Sequence, residues 1–204
     1  MIGLGANMMN YAQIIEYVKE QTTINGRPPN YTFRSRFEHT MRVYRWAIKL
    51  QAKLGGDLEI IALAALLHDI GWDGDRPHGE VGAEMAVEYL DSIGFDPEKI
   101  GRIGEIIRIH SDKDTEDELS LECKIVMDAD LLDEVGAVSV LWDSMATACE
   151  DDASYKKSYY RIKNYYRTNR PKIRRCKTDA ARVEYDKRMK LIEEFMYELE
   201  RELF

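Results

Sequence analysis

The stretch that most constrains this chain is Glu59–His68, E-I-I-A-L-A-A-L-L-H, apolar after its first residue until the histidine. Asp69 follows, and the run breaks at Gly71. A helix that is apolar all round must be buried on most sides, which places it at the centre of a helical bundle. A carboxylate and a histidine at its end are costly to bury unless something neutralises them. Neighbouring helical residues point about 100° apart, so His68 and Asp69 can share an ion only beyond the helix end. Gly71 stops the helix where that requires.

Other segments read as amphipathic helices, and none shows the two-residue alternation of a strand. Residues 8–20 place Tyr11, Ile14, Ile15 and Val18 on one face. Thr22 to Asn30 is expected as loop, with a turn at Asn25-Gly26 and helix-ending Pro28-Pro29. Residues 35–54 form a helix from Ser35, with Glu38 in the capping-box position and a stripe of Phe37, Met41, Tyr44 and Ile48. Helices are also expected over 80–90, from Pro97 to His110, over 121–132 and over 138–149, the last with Trp142 and Met145 in the core. Thr178 caps the final helix, whose stripe of Tyr185, Met189, Ile192, Met196, Leu199 and Leu203 suits core packing or a homodimer contact. The fold class is all-α. An N-terminal helix and loop (1–34) precede a metal-binding bundle (35–150), and a basic, aromatic helical extension (151–204) completes the same globule.

At 204 residues the chain can build one substantial core. No apolar run approaches the length of a membrane span, and the start lacks the pattern of a secretion signal. Three widely spaced cysteines suit reduced thiols, so a cytoplasmic protein without a Cys-rich metal site is expected. The net charge of −8 hides an asymmetry: residues 1–155 carry −15 and residues 156–204 carry +7. An acidic body holding divalent metal and a basic lobe holding an anion would produce this split, as would a solvated basic face.

The four histidines, His39, His68, His78 and His110, join Asp69 and Asp130 as six N/O donors between residues 39 and 130. Imidazole and carboxylate suit a divalent ion such as Mn, Fe, Co, Ni or Mg. Arg42 shares the face of His39 and is a candidate phosphate ligand. Asp73 and Asp75 could orient water or serve as general acid and base, although a solvated acidic loop explains them better. Lys156, Arg161 and Lys163 could hold phosphate, and Tyr159, Tyr160, Tyr165 or Tyr166 could stack on a base, whereas Arg174 and Arg175 are expected to face solvent. Because the whole chain is acidic, a small nucleotide suits it better than long nucleic acid.

The stretches E-H-T-M-R-V-Y-R-W-A (38–47), A-A-L-L-H-D-I-G (64–71) and D-A-D-L-L-D-E-V-G-A (128–137) together resemble the HD superfamily of metal-dependent phosphohydrolases. The resemblance implies that His39, His68, Asp69 and Asp130 ligate metal, with Asp69 able to bridge two ions. His78 and His110 match the extra histidines of dinuclear members. Trp72 stands where a lysine often follows the H-D-I-G run, which leaves phosphate contact to other groups. Asp133 is expected to hydrogen-bond a ligating histidine. The implied activity is hydrolysis of a phosphate ester or anhydride of a nucleotide-like substrate by metal-activated water. Competing readings are a nucleoside triphosphate pyrophosphohydrolase, a non-catalytic nucleic-acid-binding protein with structural metal, and oxygen-dependent cleavage at a di-iron centre.

Overall fold

The computed structural model describes residues 11–25, 31–115 and 117–204. Among them are α1 (Tyr11–Ile24), α2 (Arg36–Leu54), α3 (Leu58–Leu67), α4 (His78–Ser92), α5 (Pro97–Ile109), α6 (Leu121–Asp133), α7 (Ala137–Ala148), α8 (Tyr155–Asn169) and α9 (Asp179–Leu203). A 3-10 helix over Arg170–Arg175 joins the last two. No strand occurs among the described residues, and no helix among them is long and apolar enough to cross a membrane.

The helix starts follow local chemistry. Ser35 accepts from Glu38 N, Asp57 from Glu59 N and Ile60 N, Asp96 from Glu98 N ahead of Pro97, and Thr178 from Ala181 N. Each satisfies a donor that the first helical turn cannot. The expected loop begins later than the sequence suggests, because α1 runs through Ile24. The proline pair at 28–29 lies outside the described residues.

α3 is the buried centre: Ile60 to Leu67 are all buried, and α2, α5 and α6 pack around it. The α2 stripe departs from expectation. Its buried residues are Thr40, Val43, Ala47 and Leu50, while Phe37, Met41, Tyr44 and Ile48 are only partly buried. Small and β-branched residues sit at the close crossings, and larger side chains fill the flanks. Trp142 and Met145 are corrected too. Trp142 is half-buried and Met145 is 46% exposed, both facing a cavity instead of the core.

The last helix joins the same hydrophobic cluster through Tyr185, Met189 and Ile192. Its start is clamped by α6. The Asp128 carboxylate accepts from Lys177 N at 2.7 Å, Thr178 N at 2.9 Å and Thr178 Oγ1 at 2.7 Å. Asp128 therefore faces away from His68, and Asp130 faces toward it.

Candidate metal centre

Five elements deliver the histidines and carboxylates to one place. His68 is the C-terminal cap of α3, with Asp69 beyond it. His110 caps α5, His78 opens α4, His39 lies in the first turn of α2, and Asp130 and Asp133 project from α6. Two glycines permit the approach. A Cβ on Gly79 would lie 2.5 Å from Arg108 O and 2.9 Å from Ile107 O, so only glycine lets the start of α4 rest on the end of α5. That contact sets His78 beside His110. At Gly71 a Cβ would meet Gly82 N at 2.4 Å, so the chain leaving Asp69 also needs glycine to pass α4.

Three imidazoles have their Nδ1 atoms engaged. His68 Nδ1 is 2.8 Å from Ala65 O, His110 Nδ1 is 2.6 Å from Ile107 O, and His39 Nδ1 is 2.8 Å from Asp133 Oδ2. Each Nδ1–H donates outward, which turns Nε2 inward as the atom available to ligate. Asp133 is in turn gripped by Arg42 through bonds of 2.7 and 3.0 Å.

The rings of His39, His68, His110 and His78 form a row with successive centroids 5.5, 5.1 and 5.0 Å apart. Asp69 runs alongside it. Its Oδ2 is 3.5 Å from His39 Nε2 and 3.7 Å from His68 Nε2, and its Oδ1 is 3.6 Å from His78 Nε2. Asp130 Oδ1 is 3.3 Å from His39 Nε2, and the Nε2 atoms of His78 and His110 are 3.2 Å apart. Two sets, His39/His68/Asp130 and His68/Asp69/His110, each place one donor atom per residue within 4.8 Å of the others.

The donor set fits a divalent ion. His68 Nε2 is buried and lacks a hydrogen-bond partner among the described residues, which is costly for an imidazole unless a cation takes its lone pair. Burial holds His68 below its ordinary range, and burial together with the neighbouring His68 brings His110 to about 4, so both rings give up their second proton more readily than a free imidazole. Burial works against charge on Asp69 and Asp130 as well. His68, His39 and Arg36 outweigh it at Asp69, and Lys113 and His39 at Asp130, so both carboxyls stay well below the usual range. At His39, burial is outweighed by Asp130 and Asp133, which push the ring up to about 9.

A cavity of about 670 Å³ opens over this cluster. Its cations include Arg34, Arg36, Arg42, Lys113, Lys172 and Arg175, and Phe33, Leu141, Trp142 and Met145 supply an apolar wall. Arg36 is 2.7 Å from Asp69 Oδ2, and Lys113 Nζ is 2.5 Å from Asp130 Oδ2.

The structure gathers His39, His68, Asp69, His78, His110 and Asp130 as the sequence suggests, and Arg42 lines the same cavity. It does not bring Asp73 there. That carboxylate takes Asp75 N, Arg76 N and Arg76 Nε in an exposed turn. The expected phosphate and base contacts of α8 also lie elsewhere. Lys156 sits over the Phe204 ring, Tyr160 packs by Phe204, and Lys163 bonds Tyr159 and Glu200. Arg161 pairs with Asp143 and Glu150 and stacks on Trp142, outside the cavity lining. These α8 residues turn toward the end of α9 or toward α7, whereas Tyr165, Asn169, Lys172 and Arg175 further along face the cavity. Arg175, expected in solvent, is half-buried and pairs with Asp114.

Sequence reasoning missed Arg36 and Lys113. Each lies three residues from a histidine of the cluster, the spacing that singled out Arg42.

Residues 36–134 match the HD domain family, and the chain belongs to the HD-domain superfamily. YpgQ of Bacillus subtilis is 28% identical over 176 residues, covering 82% of this chain and 83% of YpgQ. The crystal structure of YpgQ in complex with ADP is similar with a TM-score of 0.65 at 26% identity, over 94% of both chains. An HD-superfamily hydrolase from Bacillus thuringiensis has the same fold, with a TM-score of 0.71 at 23% identity over 94% of this chain and 95% of its own. The HD-superfamily hydrolase fold supports metal-dependent phosphohydrolysis in general.

Proposed function

We propose that this protein hydrolyses a phosphate ester or anhydride of a nucleotide, using divalent metal held by His39, His68, Asp69 and Asp130, with Asp69, His78 and His110 able to hold a second ion. The observation that carries the reading is the convergence of inward-turned imidazole nitrogens and ionised carboxylates beneath a cation-lined cavity. A divalent ion bound there supplies Lewis acidity and lowers the pKa of water into the neutral range.

The chain's own groups do the rest. Asp133, locked by Arg42, fixes the His39 ring and its tautomer. Arg36 holds Asp69 in place, and the cavity cations neutralise charge that builds on phosphoryl oxygens. The apolar wall at Phe33 and Trp142 excludes water and suits a base. ADP in the related YpgQ supports a nucleotide ligand.

Positive charge extends past the cluster to Lys172, whose Nζ is 3.5 Å from Glu134, which suits a nucleoside triphosphate as one specific substrate. Cleavage next to the first phosphate would then release pyrophosphate. A screen of nucleotides with Mn, Fe, Co, Ni and Mg, reading orthophosphate and pyrophosphate separately, decides between the two reactions. Turnover of at least one nucleotide in the presence of metal and none after chelation is expected. Tight RNA or DNA binding with no turnover under any metal would leave only the non-catalytic reading.

A further inference from the structure

Lys113 is a nearly buried lysine whose one partner among the described residues is a carboxylate of the cluster. It lies three residues beyond His110, in the loop between α5 and α6, and its side chain is only 11% exposed. Its Nζ has Asp130 Oδ2 as its hydrogen-bond partner at 2.5 Å, and no other partner among the described residues. An ammonium carries three donors, and among the described residues two of its N–H groups have no acceptor at this nearly buried position, where an unmade hydrogen bond is costly. The residue lines the cavity over the metal ligands.

Two of the other cations there have their forks filled. Both arms of the Arg42 fork are taken by Asp133. Arg175 spends its fork on Asp114, with bonds of 2.8 and 2.5 Å. That pair and the bond from Lys177 Nζ to Thr115 O tie the loop carrying Lys113 to the basic segment after α8. The loop is therefore held from behind while the ammonium points at the site. Asp130 is divided in the same sense, with Oδ1 toward His39 and Oδ2 toward Lys113.

We propose that Lys113 binds a phosphoryl oxygen of the substrate beside Asp130, its remaining N–H donors bridging the metal-ligating carboxylate and the reacting phosphate. The inference rests on the phosphohydrolase reading above and assigns that site its phosphate-binding cation. A lysine suits the role because its ammonium is a compact point charge that can donate to two anions at once.

The test uses Mn-reconstituted wild-type protein, Lys113→Met and Lys113→Arg. Metal content is read by elemental analysis, and binding of inorganic pyrophosphate and of ADP by calorimetry. Lys113→Met is expected to keep its metal and its urea midpoint while binding both probes at least about 10-fold more weakly, about 1.4 kcal/mol. Lys113→Arg is expected to recover part of that loss. Wild-type affinity for both probes in Lys113→Met overturns the proposal. Loss of metal along with binding also overturns it, since Lys113 would then serve only to hold Asp130. Failure of wild-type protein to bind either probe sinks it equally. Lys113-dependent binding of pyrophosphate without binding of any nucleotide upholds the inference and defeats the nucleotide reading alone.

Discussion

An Asp69→Asn variant is expected to lose about 10³-fold or more in kcat/KM, about 4 kcal/mol of transition-state stabilisation. The substitution keeps the shape of the side chain and removes the one anion that touches both halves of the histidine row, with Oδ2 facing His39 and His68 and Oδ1 facing His78. A neutral amide is a poor ligand for a hard divalent ion, and it leaves the Arg36 guanidinium without its counter-charge. Because the Asp69 carboxyl sits well below the usual range, it is ionised at every working pH. The loss should therefore not be recovered at any pH. Steady-state kinetics alongside thermal unfolding of the metal-free protein checks this. A variant within 10-fold of wild type would remove Asp69 from the mechanism.

The largest effect on stability is expected at Asp128, which shares α6 with Asp130 but faces the start of α9. This carboxylate is 1% exposed and accepts three hydrogen bonds at the start of α9. Asp128→Ala leaves the N–H groups of Lys177 and Thr178 and the Thr178 hydroxyl without that acceptor. Each unsatisfied group costs about 1–3 kcal/mol, so a loss of about 3 kcal/mol is expected, or roughly 6–12 °C in Tm for a chain of this size. Asp128→Asn keeps an acceptor oxygen and should restore part of the loss. Urea unfolding of the three proteins measures this, and a loss below about 1 kcal/mol for Asp128→Ala would mean that α9 is held by its apolar face alone.

Asp128 and Asp130 also show what was legible in the sequence. Two residues apart on a helix they must diverge, so a single one facing His68 followed from spacing, and the structure assigns the other to clamping α9. The clustering of these imidazoles and carboxylates was readable because such groups at the ends of apolar helices have few other reasons to be there. The all-α fold was readable because α3 is apolar on every side and its neighbours on one.

What was not readable depended on tertiary direction. The α2 stripe was misjudged because hydrophobicity ranks Phe37 and Tyr44 above Thr40 and Ala47, whereas close helix crossings favour the small residues. The basic segment signalled a charge excess but not where its members point. Lys156 and Lys163 lean onto Phe204 and Glu200, and only the turn after α8 swings Lys172 and Arg175 over the cavity. Gly79 gave no sequence signal beyond being a glycine, because the backbone it must avoid belongs to α5.

The central claim is that four imidazoles and two carboxylates from separate helices form one metal centre. Elemental analysis of anaerobically purified, Mn-reconstituted protein tests it most directly, with wild type compared against His68→Ala and the His78→Ala/His110→Ala double variant, each checked for helicity. Two ions per wild-type chain, one in the double variant and a loss in His68→Ala are expected. A folded wild-type chain that retains no divalent metal would contradict the account.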